Sequence, residues 1–196
     1  MNIMNTIYHN LIRGIITSTI FFLILYPATN AYSSPYSLEV SKSSQELLIK
    51  DGEDIIKRYR VAFGKGGSGS KRQLGDNKTP TGTYKILEFR ENSRFHLFMQ
   101  ISYPNTIDAW YGYKNNLIDG KEFKDIVKAA TSNVLPPQNT SLGGYLGLHG
   151  IGEVNEEKLS IHDRHNWTEG CIALKNEEIT EIRQYVSIGT TILIKE

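Results

Sequence analysis

Trp167-Thr168-Glu169-Gly170-Cys171-Ile172-Ala173-Leu174 holds the only cysteine of this 196-residue chain. Upstream, Gly143-Gly144 leads into an expected short strand, Tyr145 to Leu148, that delivers His149 at its end beside Gly150. The chain between His149 and Cys171 is long enough to join two neighbouring strands by an excursion. That excursion reads as a polar loop carrying Glu153, Glu156, Glu157 and Lys158, then His162, Asp163, Arg164 and His165. A thiol becomes a strong nucleophile when a nearby imidazole takes its proton, giving a thiolate and imidazolium pair. Gly170 permits a tight turn, so its amide and that of Cys171 are candidates to face a developing oxyanion.

Each residue also has a plainer reading. Cysteine is often a small buried hydrophobe, and His149 fits a hydrogen-bonded residue at a strand end. His162 and His165 read as loop histidines, and Trp167 as core or as a pocket wall. Glu169 sits badly beside a nucleophilic thiol, because a carboxylate raises a thiol pKa; it is expected to point away or to pair with Arg164. His149, His162, His165 and Cys171 are ligand types that zinc accepts. Their spacing fits no compact zinc motif, and no second cysteine or H-E-x-x-H helix accompanies them.

Outside this region the pattern is mainly β. Short apolar runs at Ser37 to Ser41 and Glu46 to Lys50 precede Asp51-Gly52, which reads as a type I′ hairpin turn. In the next strand Ile55, Tyr59, Val61 and Phe63 are expected on one face, with Lys57 marking a position near a sheet edge. Further strands are expected at Thr83 to Phe89, Phe95 to Ser102 and Thr190 to Ile194. Helical spacing appears at Lys121 to Ala130 and at Glu177 to Val186, the latter with Asn176 as N-cap.

Gly64-Lys65-Gly66-Gly67-Ser68-Gly69 spells G-x-G-x-x-G after an expected strand. The dinucleotide fingerprint also needs a helix to start there, and Gly75, Asp76, Asn77 and Pro80 follow with no helical period. A surface loop is the expected structure. Thr79-Pro80-Thr81-Gly82 reads as a type I turn.

The N-terminus is written as an export signal. Arg13 precedes an apolar run from Ile15 to Tyr26, and Pro27 to Ala31 supply a breaker and small residues, with cleavage expected after Ala31. The run is short beside the roughly 20 apolar residues of a spanning helix, and retention as an anchor is the alternative. Residues 1–31 are thus read as signal, 32–36 as linker and 37–196 as one domain in the periplasm or cell envelope. The chain carries a formal charge of +1, contributed within the signal by Arg13 alone. So near-neutral a domain offers no basic stripe for nucleic acid or anionic lipid, leaving the N-terminal segment as the only expected membrane contact.

Several of these segments together resemble the L,D-transpeptidase catalytic domain family, of the YkuD type. The likeness rests on Gly144 to Gly150, Trp167 to Leu174 and Asn176-Glu177-Glu178-Ile179, with Gly75-Asp76, Thr79 to Tyr84, Ser102 to Asn105 and the closing Gly189 to Ile194. It implies a mainly β fold, a β-sandwich or barrel with a few short helices. It also implies a cysteine acyltransferase acting on peptidoglycan stem peptides, with no metal or organic cofactor; the protein is expected to be a monomer. Carried over by position, Cys171 is the nucleophile and His149 the base and proton donor, with the Gly170 and Cys171 amides serving the oxyanion. Thr168, Trp167, Gly150, Tyr145 and Arg164 become substrate-binding candidates. Many members have histidine before the Gly-Cys pair and arginine or asparagine two residues after the cysteine; here those positions are Glu169 and Ala173. Hydrolysis, as an L,D-carboxypeptidase or amidase, and a non-catalytic wall-binding module are the alternatives.

Overall fold

The computed structural model describes residues 34–196. The expected export signal and the start of the linker lie outside the described residues. Among the described residues no helix is long and apolar enough to cross a membrane.

Alternating burial sets the first strands. β1 (Tyr36–Ser41) turns Leu38 and Val40 inward, and β2 (Glu46–Asp51) does the same with Leu47 and Ile49. β3 (Asp54–Arg60) follows, and of the turn residues Gly52 alone takes positive φ, whereas a type I′ turn needs two. A register shift at Ile49/Lys50 disturbs the inward face expected for β3. Tyr59, Val61 and Phe63 are buried, but Ile55 is exposed. Lys57 reaches Glu181 at 2.8 Å on a strand that lies at one end of the sheet.

β4 (Gly82–Ser93) and β5 (His96–Ile101) form a long antiparallel pair. Two helices follow, α1 (Thr106–Lys114) and α2 (Gly120–Ser132). Asn105 and Asp119 start them with reciprocal capping boxes to Asp108 and Glu122. They build a lobe whose small core joins Ala109, Ile118, Ile126 and Leu142. The chain then enters β6 (Gly147–Gly150), α3 (Glu156–Arg164), β7 (Ile172–Leu174), α4 (Asn176–Ile182) and β8 (Thr191–Lys195).

The sheet order is β3-β2-β1-β8-β4-β5-β6-β7. β1 with β8 and β6 with β7 are parallel, and the other pairs are antiparallel. The continuation of β3 then crosses to the far end: Ala62 pairs with Ala173, and Gly64 with Thr168. One piece of chain thus borders both ends of the sheet, which wraps around a core of Leu38, Ile49, Ile86, Met99, Leu148 and Ile192, with Ile179 and Ile182 of α4 among the buried residues of that cluster. This is a mainly β fold with few helices, as the sequence implies.

Four local expectations change. The polar excursion after His149 is α3, begun by Asn155, whose side chain accepts from the Lys158 amide. α1 lies in a stretch with no helical expectation. Asn176 is the first residue of α4, with Lys175 at the N-cap position; its side chain instead exchanges hydrogen bonds with Gly152 O and N at 2.7 and 3.1 Å. The expected turn at Thr79 to Gly82 is absent: Gly82 already opens β4, and Thr79 Oγ1 accepts from the Gly64 amide at 3.0 Å.

Candidate active site

The glycine cluster abuts this site and opens no helix. A Cβ on Gly64 would meet Asn77 O at 2.2 Å, and one on Gly66 would meet Asp76 O at 2.1 Å, so both positions need glycine for close backbone approach. The Lys65 amide donates to Thr168 O at 2.9 Å, and the Thr168 amide donates to Phe63 O at 3.0 Å. Residues 63–65 are thereby bonded to the turn that carries Cys171.

Cys171 stands immediately before β7, and His149 is the third residue of β6, its parallel neighbour. Both line one cleft of about 960 Å³. His149 is buried, and its Nδ1 lies 2.7 Å from Gly150 O. A carbonyl can only accept, so Nδ1 carries the proton and the neutral ring keeps its Nε2 lone pair. Phe95 packs on the imidazole with ring centroids 4.3 Å apart, and Trp167 meets it edge-on at 5.8 Å. Burial drives the His149 pKa down to about 4.

Cys171 is half-buried and lines the cleft. Burial pushes its pKa up to about 11; a bond from the Gly147 amide and the Lys71 charge pull it down, and the Glu169 charge adds to the rise. Sγ lies 3.8 Å from Tyr145 O, a contact only the protonated thiol can donate to. Both shifts favour neutral thiol and neutral imidazole over the ion pair expected from sequence.

The remaining candidates divide. Thr168 is buried, and its Oγ1 donates to Cys171 O at 2.7 Å and accepts from the Gly170 amide at 3.2 Å. It shapes the turn. The Gly170 amide is therefore engaged, which removes it as a free oxyanion donor. Trp167 lines the cleft and donates from Nε1 to Nδ1 of the buried His162 at 3.4 Å. Tyr145 is about half exposed and also lines the cleft. Gly150 lies behind the site, where its carbonyl sets the His149 tautomer. Arg164 ends α3, exposed and outside the cleft lining. Glu169 lines the cleft, exposed, and among the described residues forms no ion pair with Arg164. The four possible zinc ligands do not converge: among the described residues no three His, Cys, Asp or Glu side chains are grouped so as to hold a metal ion. Ala173 is fully buried on β7, where it pairs with His149 and with Ala62.

Sequence reasoning missed a wall of the cleft made by residues 71–77. Lys71 is buried, and its Nζ donates to Asp76 Oδ1 at 2.8 Å and Gln73 O at 2.9 Å. Asp76 also accepts from the amides of Arg72, Gln73 and Lys78. Burial alone would raise the Asp76 pKa, but these donors outweigh it and hold the carboxyl below its usual range. Arg90 and Arg94 of the β4–β5 hairpin, with Phe95 and Phe98, line the cleft as well. The signal visible in the sequence is the Gly75-Asp76 pair, one of the segments of the family likeness.

The family model of the L,D-transpeptidase catalytic domain (YkuD) matches residues 35–194. The chain belongs to this family. It is 26% identical to YafK of Escherichia coli (strain K12) over 160 residues, covering 79% of this chain and 48% of that protein. The chain thus spans about half the length of the curated relatives it matches. Among solved structures, Bd1075 of Bdellovibrio bacteriovorus superposes with a TM-score of 0.50 at 24% identity, over 85% of this chain and 49% of that one. The helical cell shape determining protein Pgp2 of Campylobacter jejuni gives 0.52 at 20% identity, over 82% and 48%. These two likenesses establish the fold.

Proposed function

We propose that this L,D-transpeptidase family domain transfers acyl groups of peptidoglycan stem peptides through a thioester on Cys171, to crosslink or remodel the wall. The observation that carries the reading is a cleft holding both the thiol and an imidazole whose tautomer leaves Nε2 basic. In the first half-reaction Sγ attacks the carbonyl carbon at the L-centre of diaminopimelate. The thiol proton moves to His149 Nε2 as the C–S bond forms, and then to the nitrogen of the terminal D-alanine as the C–N bond breaks. In the second half an acceptor amine attacks the thioester, losing a proton through Nε2 to the departing sulfur. The thiol is restored and no net proton is consumed. With Gly170 engaged, the Cys171 amide is the proposed oxyanion donor. The neutral resting pair means that proton transfer accompanies attack.

We infer further that residues 1–31 act as an export signal and that residues 37–196 form the catalytic domain in the cell envelope. Mass spectrometry of full-length protein incubated with disaccharide tetrapeptide tests the chemistry. Crosslinked dimers are expected; tripeptide alone identifies a hydrolase, and unchanged but bound substrate identifies a wall-binding module. Cys171→Ala is expected to lower turnover at least about 10³-fold, since a catalytic nucleophile acts as a unit with its base. Turnover that survives this substitution overturns the thioester mechanism.

A further inference from the structure

Four cations line the cleft, Lys65, Lys71, Arg90 and Arg94, against one carboxylate, Glu169. Two of the four are already engaged. Lys71 is held by Asp76, and Arg90 by Glu88 at 2.6 Å with a further bond to Gln100. Arg94 is exposed and, among the described residues, has neither a hydrogen bond nor an ion pair. Its guanidinium carbon lies 4.6 Å from the centre of the Phe95 ring, and that ring packs at 4.3 Å on His149. Stacking holds the guanidinium by its face and leaves its N–H edges free for a planar anion. Lys65 rides on the segment bonded to Thr168, and no such aromatic bridge ties it to the imidazole.

A second cavity of about 430 Å³ adds an independent observation. It shares Arg94, Phe95 and Trp167 with the main cleft, and Ile151, Ile161, Lys158 and one carboxylate, Glu153, line its remainder, so its two cations outnumber its single acid. Phe95 and Trp167 also pack on His149, at 4.3 and 5.8 Å, nearer than the third ring, Phe98 of the main cleft, at 6.4 Å. The wall common to both cavities therefore flanks the imidazole, and Arg94 belongs to that wall.

The geometry points to Arg94 as the residue that binds the α-carboxylate of the amine component, the group whose nitrogen exchanges a proton with His149, seated in the second cavity. The assignment rests on the thioester reading above. In that chemistry the leaving D-alanine carries its carboxylate one carbon from the nitrogen. An acceptor that attacks through an α-amine presents the same pair, so one guanidinium beside the imidazole serves both half-reactions. Bidentate geometry suits a carboxylate and gives little to a neutral amide.

Two measurements on the full chain test this. In the first, the thioester formed from disaccharide tetrapeptide is partitioned between water and an added amine, either isotope-labelled D-alanine or D-alaninamide at equal free-base concentration. The ratio of transfer to hydrolysis is expected to favour D-alanine by at least about 10-fold, the worth of a charge-assisted pair. Arg94→Ala is expected to reduce that preference below about 3-fold, with Arg94→Lys intermediate because it keeps the charge and loses the fork. A preference that is absent, or that survives Arg94→Ala, overturns the assignment.

The second measurement needs no turnover. Calorimetric binding of the tetrapeptide and of its terminal carboxamide is compared in Cys171→Ala and in the double variant with Arg94→Ala. The free acid is expected to bind at least about 10-fold tighter only where Arg94 is present. If no thioester forms in the wild type yet this preference is found, the thioester reading falls and the Arg94 site stands. Equal binding of acid and amide removes the site.

Discussion

The cleft wall holds a largely buried carboxyl group and the helical lobe a fully buried one, and the two are handled in opposite ways. Asp76 in the wall accepts from the Lys71 ammonium and three backbone amides, and its pKa is held low although burial alone would raise it. Asp108 in α1 accepts from Tyr84 Oη at 2.9 Å and the Asn105 amide at 3.0 Å, and among the described residues it forms no ion pair, Arg72 acting only as a minor charge. Burial pushes its pKa up to about 6. A buried carboxyl is thus a fixed anion where a cation is built in beside it, and a titrating group where only neutral donors meet it.

Asp76→Ala draws the sharpest line between the two regions. It leaves the Lys71 ammonium buried without its partner, and losing one member of such a pair costs about 3–5 kcal/mol. The urea midpoint is expected to fall accordingly, and the packing of residues 71–77 against Gly64 and Gly66 to loosen. A cost below about 1 kcal/mol, the size of an exposed pair, would erase the distinction.

A smaller effect separates the regions by pH. Unfolded, Asp108 gives up its proton near 3.8; folded, it does so at about 6, so the native state holds the extra proton in between. The stability it contributes is present below 3.8 and lost as pH rises through 6, up to roughly 3 kcal/mol. His149 runs the other way. Its folded pKa of about 4 lies below 6.5, so its contribution is present above 6.5 and lost as pH falls through 4. Asp108→Asn keeps an acceptor for Tyr84 and Asn105 and removes only the first slope. Urea midpoints between pH 4 and 7 are therefore expected to fall more steeply toward acid in the variant than in the wild type. Parallel curves would place Asp108 outside this balance.

The strands were legible because alternation survives wherever one face is buried, as in Leu38 and Val40 or Ile192 and Ile194. α1 was not, because Ile107, Trp110 and Tyr113 are exposed while Asp108, Ala109 and Gly112 are buried, which inverts the usual pattern. Its capping box from Asn105 to Asp108 was the readable signal. α3 is polar on most positions and reads as loop, although Asn155 and the acidic Glu156 and Glu157 mark its start. Cys171 and His149 were legible as motif residues. Arg94 and Lys71 were not, because their places in the cleft come from the β4–β5 hairpin and from a loop with no periodicity.

The smallest expected effect concerns Glu169, a third carboxylate, which faces the cleft from an exposed position. Unlike Asp76 and Asp108 it is surrounded by solvent, so its influence on the thiol is screened. With the Cys171 pKa near 11, alkylation by iodoacetamide in the wild type is expected to climb about 10-fold per pH unit from 7 to 10, following the thiolate fraction. Glu169→Gln removes the weakest of the influences that act on the thiol, and is expected to raise the rate at any fixed pH by less than about 3-fold with the slope unchanged. A plateau near neutrality in either protein would mean that the thiol and imidazole rest as an ion pair. Burial, which drives both groups toward neutrality here, would then have lost to their mutual attraction, and the site wall would behave like the Lys71–Asp76 pair rather than like Asp108.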